Sequence, residues 1–398
     1  MIKKFIYFFV YSLIKLLFNL FKVRLCIISI NRIGHLAECY YLLRFIGEKK
    51  KFRELVYFNY SKEISNKVLF EKLNELIISK SNKQFIKISN RLGNFILKLI
   101  NKVQSNNNHN LFTFAHNNKK SKWELVSENN KFNQSFSLSE LKIFHDFKVK
   151  NNVKEKYICL NLWSFNHLNN NKSDFTHHRY RESSFENFIP LINNLINKNY
   201  TVICMGHSSD KYDKFQNNNF INYSKYRTDL LDLIILKNCY AYISDCTGLD
   251  YVANLYDRPM LINSSFIDFF HTHRKDIVYI LKRFYSKKRN RDLTLKEAIL
   301  EEKLFFKLKS QTYDLKNINI KNNFPKDIIH AFDLLESIIQ DKELKIENQK
   351  YSQKYWELYK EGINTLDKNR GEKDYYFNNE ILSSYSYTNL DSKKKFIE

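Results

Sequence analysis

Short apolar runs alternate along this chain with longer segments in which apolar residues recur every three to four positions. The short runs have the length and the β-branched content of buried strands, whereas the longer segments have the spacing of amphipathic helices. In the first third of the chain the pattern predicts strands at 24–30, 54–60 and 84–89, and helices at 35–46, 63–78 and 91–103.

The same alternation returns in the second half of the chain. Ser137 and Glu140 have the spacing of a capping box, just before an apolar helix. After that helix the pattern predicts strands at 157–163, 200–206, 240–244 and 259–263, and helices at 185–199, 229–239 and 249–256. Strands that alternate with helices indicate a parallel sheet with helices on both faces.

Two runs of alternation of similar size predict an α/β fold with two Rossmann-like domains. Between about 104 and 134 the pattern fades into sequence rich in Asn and Lys. Near the end of the chain, 327–344 and 351–359 are predicted helices. The predicted segments are an apolar, basic helix at 1–22, domains at 23–145 and 146–310, and C-terminal helices with a polar tail at 311–398.

The N-terminal segment is apolar from Phe5 to Phe21, and Lys15 interrupts it. A membrane-spanning helix needs about 20 apolar residues, so this segment is short for that role, and it lacks the small-residue cleavage site of a secretory signal. An interfacial helix is favoured, with Lys3, Lys4 and Lys15 near anionic lipid. The alternative is a helix packed on the protein itself.

The charge balance is strongly basic, with 65 Lys and Arg against 42 Asp and Glu and a net charge of +23. Such an excess indicates an anionic partner: nucleic acid, anionic lipid or a phosphorylated substrate. An AT-rich genome is the competing explanation, because its codons favour Lys, Asn, Ile, Phe and Tyr. No recognised nucleic-acid motif is present, so no nucleic-acid partner is predicted.

The Cys and His residues do not predict a metal site. No two of the six cysteines are spaced as C-x-x-C, so buried free thiols in a reducing cytosol are expected. His177–His178 and the pair His271 and His273 lack a carboxylate or Cys partner at ligand spacing. The sequence also contains no G-x-S-x-G element and no P-loop.

The most informative stretch is SDCTGLDYVANLYDRPMLIN, which begins at Ser244. Gly248 stands between a predicted strand and a predicted helix, where it lets the backbone turn sharply and approach a ligand closely. A helix N-terminus favours phosphate, and the Thr247 hydroxyl adds a polar group. Asp245 and Asp250 would repel phosphate unless they point elsewhere, to bind sugar hydroxyls or to cap the helix. The competing interpretation is a plain strand-to-helix turn.

The stretch TGLDYVANLYDRPMLIN resembles the signature of a family of bacterial glycosyltransferases from surface-carbohydrate gene clusters, which make polysaccharide and O-antigen. Further stretches follow that family's order: NRIGHLAE, HHRYRESSFENFIPLINNLINKNYTVICMG, YRTDLLDL and RDLTLKEAIL. The resemblance implies a GT-B-like fold, in which two Rossmann-like domains face a cleft. It also implies transfer of a sugar from a nucleoside-diphosphate donor to a surface-glycan precursor, and no cofactor beyond that substrate.

The resemblance assigns the donor side to the second domain. No Asp-x-Asp pair is present, which favours stabilisation of the leaving diphosphate by cations and a helix N-terminus, without metal. Arg181 is the leading candidate because a guanidinium can grip a diphosphate bidentately, and Arg179 and Arg227 are further ones. Their alternative is pairing with acids such as Asp229. Gly206 either leaves room for the nucleotide base or ribose or ends a strand.

The acceptor side is assigned to the loop that contains Arg32 and Gly34. His35 is the candidate general base for the acceptor hydroxyl, since imidazole titrates near neutral pH. Glu38, one turn further on, orients His35 or serves in its place. The alternative for His35 is a helix N-terminal residue that contacts phosphate or backbone.

These assignments predict a cytoplasmic enzyme, peripheral on the inner face of the cell membrane. Its expected partners are a nucleotide-sugar donor, a glycan or lipid-linked glycan acceptor and an anionic membrane surface. Two other functions fit the same architecture. One is a sugar-nucleotide 2-epimerase-like enzyme, and the other is a non-catalytic protein that binds nucleotide or glycan.

Overall fold

A computed structural model of the 398-residue chain falls into two compact units, Met1–Glu128 and Asn129–Glu398. The structure describes residues 9–10, 12–13, 16, 20, 23–38, 53–59, 63–79, 85–89, 91–96, 135–163, 176–206, 210–264, 274, 276–304, 316–340, 353–359, 361–362 and 389–390.

The first unit contains a parallel sheet of three strands in the order β1-β2-β3. Its strands are β1 (Val23–Ser29), β2 (Arg53–Asn59) and β3 (Phe85–Lys87). All three strand predictions in this part of the chain are confirmed to within a few residues. The predicted strand-to-helix alternation is confirmed as well, by helical segments at 33–38 and 91–96 and by α1 (Lys67–Ser79).

The second unit is built on six parallel strands in the order β6-β5-β4-β7-β8-β9. They are β4 (Tyr157–Asn161), β5 (Thr201–Cys204), β6 (Phe220–Asn222), β7 (Ala241–Ser244), β8 (Met260–Ser264) and β9 (Ile277–Leu281). A two-residue strand, Asn389–Leu390, pairs with the outer side of β9. Every residue of β4, β7, β8 and β9 is buried, which explains why these strands appear in the sequence as apolar runs.

The strand order makes this sheet doubly wound. Numbered from β4, the strands lie in the order 3-2-1-4-5-6, which is that of Rossmann-type dinucleotide-binding sheets. The direction of winding reverses between β4 and β7, where Asn161 is paired with Ser244 at the carboxyl ends of the two strands. In open α/β sheets, ligands bind in the crevice outside the carboxyl ends of the strands at this switch point.

Helices of the second unit surround this sheet or extend from it. They include α2 (Leu138–Lys150), α3 (Ile189–Asn197), α4 (Asp210–Lys214), α5 (Asp229–Asn238), α6 (Gly248–Leu255) and α7 (Pro325–Ile339). A further helical segment at 353–359 confirms the helix predicted there. The predicted capping box at the start of α2 is confirmed. Ser137 Oγ accepts a hydrogen bond from the Glu140 amide at 3.2 Å, and Glu140 Oε2 accepts one from the Ser137 amide at 2.7 Å.

The unit boundaries differ from the predicted ones. The chain divides between 128 and 129, whereas the sequence analysis ended the first domain at 145. Phe147 of α2 packs edge-on against Tyr223 and Tyr226 of the second unit, with ring centroids 6.1 and 5.6 Å apart, so α2 belongs to that unit. Phe332 of α7, within the predicted C-terminal helices, is buried in a core cluster of the second unit.

A small antiparallel sheet was absent from the sequence analysis. Its strands are β10 (Arg283–Ser286), β11 (Arg291–Asp292) and β12 (Ile318–Lys321). A π-helical turn at Glu297–Glu301 lies between β11 and β12 in the sequence. Thr294 and Glu297 form a second capping arrangement at this turn, with Glu297 Oε2 accepting from the Thr294 amide at 2.8 Å. Arg289 and Arg291 both pair with the same carboxylate at 2.5 Å.

Candidate functional site

The turn between β7 and α6 lies at the switch point of the sheet. It consists of Asp245, Cys246 and Thr247, and is called the β7–α6 turn below. Cys246 makes the sharp bend with a φ of 63°, in the left-handed region that L side chains rarely adopt. No glycine in the described part of the chain has a positive φ, and Gly248 is the first residue of α6. The expectation that Gly248 supplies the sharp turn is therefore wrong; Cys246 supplies it.

The Thr247 and Asp250 side chains point into the protein interior. Thr247 Oγ1 donates to Asp250 Oδ1 at 2.8 Å, and the Tyr242 hydroxyl donates to the same oxygen at 2.9 Å. Asn161 Nδ2, at the end of β4, donates to Thr247 Oγ1 at 2.6 Å. All four residues are buried. This corrects the expectation that Thr247 and Asp250 offer their side chains to the donor, since both side chains join β4, β7 and α6 instead.

The Asp250 carboxyl has an unusual environment. It is fully buried, and among the described residues its Oδ2 has no hydrogen-bond partner. Burial raises the pKa of Asp250 to about 6, although hydrogen bonding by Ser244, Thr247 and Tyr242 opposes the rise. The carboxyl is thus poised to titrate just below neutral pH.

Asp245 lies in a second buried network at the strand ends. Its Oδ1 accepts from Ser183 Oγ and from Asn263 Nδ2, each at 2.8 Å, and its Oδ2 accepts from the Trp163 amide at 3.3 Å. Burial raises the pKa of Asp245 to about 6, against the opposing charge of Lys282 and these hydrogen bonds. Both acids next to the β7–α6 turn therefore point elsewhere, which was the condition for a phosphate to bind there.

Lys282 completes this network from the end of β9. Its side chain is fully buried, and its Nζ donates to the carbonyl oxygens of Arg181 at 2.6 Å and Glu182 at 2.7 Å. Burial lowers the pKa of Lys282 to about 8, and the charge of Asp245 partly restores it.

This second network was not predicted from the sequence. The signal that could have found it is a charged residue directly after an apolar run, as Lys282 is after IVYIL, together with the polar Asn263 at the end of β8.

Arg181 lies beside the β7–α6 turn. It ends a 3-10 helix, Thr176–Arg181, and its side chain is half-buried. Arg181 Nη1 donates to the Cys246 carbonyl oxygen at 3.1 Å, while Nε and Nη2 contact the Tyr180 hydroxyl at 3.3 and 3.2 Å. The structure thus brings together Arg181 and the turn before α6, which the sequence analysis assigned jointly to a diphosphate.

The other two arginines have different surroundings. Arg179 is exposed on the same 3-10 helix. Arg227 pairs with Asp232 in the first turn of α5, with Nη2 and Nε at 3.1 and 3.2 Å from Oδ2. Pairing with a nearby acid was the alternative for Arg227, although the partner is Asp232 rather than Asp229. Because Arg227 already forms an ion pair with Asp232, it is a weaker candidate for binding the diphosphate.

Gly206 follows the end of β5 and is buried. A Cβ at this position would lie 3.2 Å from the Tyr212 hydroxyl and 3.3 Å from the Leu162 carbonyl oxygen. The space beside Gly206 is therefore taken by the protein's own Tyr212. This corrects the expectation that Gly206 leaves that room for a nucleotide base or ribose.

The acceptor-side candidates lie in the first unit, on or beside the helical segment 33–38 that follows β1. Gly34 is buried, His35 and Glu38 are half-buried, and Arg32 is exposed. His35 and Glu38 are three residues apart, so their side chains are neighbours on one helix face. Their assignment as a base and its orienting partner stays a prediction.

No group of three His, Cys, Asp or Glu side chains is placed to hold a metal ion in the part of the chain that the structure describes. His271 and His273 lie outside those residues, and of His177 and His178 only the backbone is described.

No family model matches the sequence, and no curated protein matches it. Among solved structures, the chain is similar to E. coli ADP-heptose lps heptosyltransferase II, at 12% identity over 60% of this chain and 84% of that one, with a TM-score of 0.36. It is also similar to a family 9 glycosyl transferase from Veillonella parvula, at 12% identity over 60% and 80%, with a TM-score of 0.37. A third is Methanocaldococcus jannaschii UDP-GlcNAc 2-epimerase, at 14% identity over 79% and 99%, with a TM-score of 0.32. TM-scores this low do not establish a shared fold, so the interpretation of the site depends on its own residues.

Proposed function

We propose that the second unit binds a nucleoside-diphosphate sugar at the β7–α6 turn, and that the protein transfers the sugar to a glycan acceptor. The observation that carries this proposal is the contact between Arg181 Nη1 and the Cys246 carbonyl oxygen, 3.1 Å apart at the switch point of a doubly wound sheet. A guanidinium at that point lies where such sheets bind nucleotides.

The start of α6 suits a phosphate because the side chain of its N-cap residue does not cap it. Thr247 is the N-cap residue, yet its hydroxyl makes no cap hydrogen bond. That hydroxyl is instead bonded to Asn161 and Asp250. The first N–H groups of a helix have no partner within the helix, and together with the helix dipole they favour an anion. In this proposal the diphosphate oxygens take the place of a capping side chain.

The charges around the turn also favour an anion. The Asp245 carboxylate accepts three hydrogen bonds, and the buried Lys282 cation acts on it through its charge. The negative charge of Asp245 is therefore partly compensated within the protein. Arg181 supplies a positive charge beside the turn. A leaving diphosphate needs such a charge at a fixed place, and a guanidinium and a helix N-terminus supply it without a metal ion.

The acceptor half of the reaction is assigned to the first unit. His35 is proposed to take the proton of the acceptor hydroxyl, and Glu38, its neighbour on the helix face, to orient the imidazole or to act in its place. His35→Ala should then lower the rate of transfer while leaving the affinity for nucleoside diphosphate unchanged.

One incubation separates this function from its alternatives. The purified protein is incubated with a panel of nucleotide sugars, with and without membrane extract as the source of acceptor, and free nucleoside diphosphate is measured. Release that requires the extract supports glycosyl transfer. Release without it, or conversion of the nucleotide sugar into its epimer, supports a 2-epimerase-like enzyme. Binding in a separate calorimetric titration with neither of these results supports a non-catalytic nucleotide-binding protein.

The N-terminal segment is proposed to hold the protein on the inner face of the cell membrane. Phe9, Leu13, Leu16 and Leu20 recur at spacings of four, three and four, and their exposed fractions are 62, 46, 54 and 67%. An exposed apolar stripe on a helix, within a segment that also contains lysines, is the pattern of an interfacial helix on anionic lipid. No helix in the described part of the chain has the length and apolar character needed to cross a bilayer.

A further inference from the structure

Lys282 is a fully buried lysine whose two hydrogen bonds in the described part of the chain go to backbone carbonyls, those of Arg181 and Glu182. The carboxylates of Asp245 and Glu182 act on it through their charge. Arg181 and Glu182 precede Lys282 by about a hundred positions in the sequence. The lysine therefore joins the end of β9 to the segment that carries the Arg181 side chain.

Keeping an ammonium group in that position is costly. Removing a charge from water is unfavourable unless hydrogen bonds and an opposite charge compensate for it. The preceding strand, Ile277–Leu281, is apolar, and an apolar residue at 282 would avoid the cost. Such a residue could not donate to two carbonyls, so the lysine provides a link that simple packing would not.

Asp245 holds the next residue of the same segment. It accepts a hydrogen bond from Ser183 Oγ at 2.8 Å, and Asn263 Nδ2 donates both to Asp245 at 2.8 Å and to Ser183 Oγ at 2.9 Å. Residues 181–183 are thus held by consecutive contacts: two carbonyls by Lys282 and one hydroxyl by Asp245. Lys282 and Asp245 are called the 181–183 clamp below.

We propose that Lys282 is a positioning residue for the diphosphate site, which with Asp245 holds residues 181–183 so that the Arg181 guanidinium lies at the β7–α6 turn. The proposal rests on the proposed function, because it assigns Lys282 to the same diphosphate site. Lys282 is buried and acts through Arg181, so it is not itself a ligand of the phosphate.

The clamp makes nucleotide binding sensitive to pH on the alkaline side. The titratable groups that act on Lys282 are Asp245, Glu182 and the Cys246 thiol. Burial lowers the pKa of Lys282 to about 8, and these three groups oppose the fall. Above that pH the lysine is neutral, and its bonds to the two carbonyls lose their charge assistance. Affinity for nucleoside diphosphate should therefore fall between pH 7 and 9, a range in which the phosphate, with its second pKa near 6, no longer changes charge.

The test uses the full chain with Lys282→Met and with Lys321→Met as a matched control. Lys321 lies in β12 over the Tyr285 ring, and its removal changes the net charge equally. Hydrogen exchange of residues 176–184 is measured without ligand, and UDP and ADP binding is measured by calorimetry from pH 7 to 9. We expect faster exchange in Lys282→Met alone. Lys282→Met, but not Lys321→Met, should also bind UDP and ADP about 10- to 100-fold more weakly than wild type. The affinity of Lys282→Met should not depend on pH above 7.5.

Ser183→Ala is the second variant, in case Lys282→Met does not fold. It removes only the hydroxyl that Asp245 holds, and should weaken binding about threefold or more while hydrogen exchange in 176–184 rises. Unchanged exchange in both folded variants would overturn the clamp whether or not nucleotide binds. Wild-type affinity and pH dependence in a folded Lys282→Met would overturn the positioning role alone. A wild-type protein that binds no nucleoside diphosphate would overturn the proposed function, and this role with it.

Discussion

Arg181 and Cys246 are 65 residues apart in the sequence, yet the Arg181 guanidinium donates a hydrogen bond to the Cys246 carbonyl oxygen at 3.1 Å. The contact ties a 3-10 helix to a turn whose backbone is in the left-handed region. Strained backbone of this kind persists only where the surrounding structure holds it, and it is often found at functional sites.

The polar side chains of the TGLD sequence at 247–250 have a structural role. Thr247 and Asp250 are the polar residues of that motif, and both are bonded to each other inside the protein. Their function is to fix α6 against β4 and β7 through Asn161 and Tyr242. The groups that remain for a ligand are the backbone N–H groups at the start of α6.

Replacing Arg181 by Ala should weaken nucleoside diphosphate binding by roughly 10- to 150-fold, the equivalent of one lost hydrogen bond to a charged group. Arg179→Ala removes the same charge from the exposed side of the same 3-10 helix and should change affinity less than about threefold. Gly248→Val should weaken binding as well, because the added side chain stands where the ligand approaches the backbone. Calorimetry with UDP and ADP measures all three, after circular dichroism shows that each is folded. Equal affinities for wild type and Arg181→Ala would place the phosphate elsewhere.

Asp250→Asn should leave nucleotide affinity the same or higher, since the carboxylate points inward and its charge opposes an anion. If Asp250 instead bound sugar hydroxyls, the substitution would weaken binding of the nucleotide sugar more than that of the free diphosphate. Comparing UDP with a UDP-sugar separates the two results.

The same variant should also change how stability depends on pH. The folded pKa of Asp250 is raised to about 6 from an ordinary value of 3.8, so the folded state holds this proton more tightly than the unfolded state. Its contribution to stability is therefore present below pH 4 and lost as pH rises through 6. The free energy of unfolding of Asp250→Asn minus that of wild type should rise between pH 4 and 7 by at most about 3 kcal/mol. A difference that is flat across this range in urea denaturation would contradict the raised pKa.

Cys246 allows the strain at the turn to be measured. Cys246→Gly and Cys246→Ala both remove the buried thiol, but only glycine adopts a positive φ without steric cost. The free energy of unfolding of Cys246→Gly should exceed that of Cys246→Ala by about 1 kcal/mol. In regular structure the order is usually the reverse. Chemical denaturation of the two variants gives the difference directly. An Ala variant as stable as the Gly variant would show that the left-handed backbone costs nothing here.

Glu297 should contribute stability that is lost in acid. Arg291 and Arg289 hold the pKa of its carboxyl at about 2, below its ordinary 4.5, despite an opposing effect of burial. A carboxyl whose pKa is lower in the folded than in the unfolded state stabilises the fold above pH 4.5. This contribution disappears as pH falls toward 2. Glu297→Gln should lower the free energy of unfolding at pH 7 by about 1–3 kcal/mol, with the gap from wild type closing between pH 4.5 and 2. Thermal melts over that range measure it, and a gap that does not narrow in acid would point to lost packing.

Deleting residues 1–22 should move the protein from the membrane pellet to the supernatant, and high salt should do so in part. Leu13→Glu with Leu16→Glu should act like the deletion, because both apolar side chains are exposed. Ser12→Glu is the matched control, since it adds negative charge at an exposed polar position. Co-sedimentation with vesicles of anionic or neutral lipid measures the effect. Equal sedimentation of the full chain and the deletion variant would rule out the membrane role.

Most of the regular structure could be predicted from local patterns of apolar and polar residues. β4, β7 and β8 are covered on both faces, so their residues are apolar without interruption and can be recognised without knowing what covers them. The capping box of Ser137 and Glu140 is contained in four residues, and it too could be read locally. Short strands such as Phe220–Asn222 and Arg291–Asp292 carry too few residues to form a pattern, and they were not predicted. Ile277–Leu281 was not predicted either, although it is a fully buried apolar run.

The roles of the polar residues at the site depend on contacts between segments that are far apart in the sequence. Whether Thr247 faces a ligand or the interior depends on Asn161, which lies 86 residues earlier and meets it only because β4 and β7 are neighbours at the switch point. Lys282, directly after β9, likewise contacts the Arg181 carbonyl oxygen across 101 residues of sequence. Hydrogen bonds of this kind depend on strand order and register, which arise from packing of the whole sheet. A local pattern of apolar and polar residues therefore locates the turn but cannot say which of its side chains are free to bind.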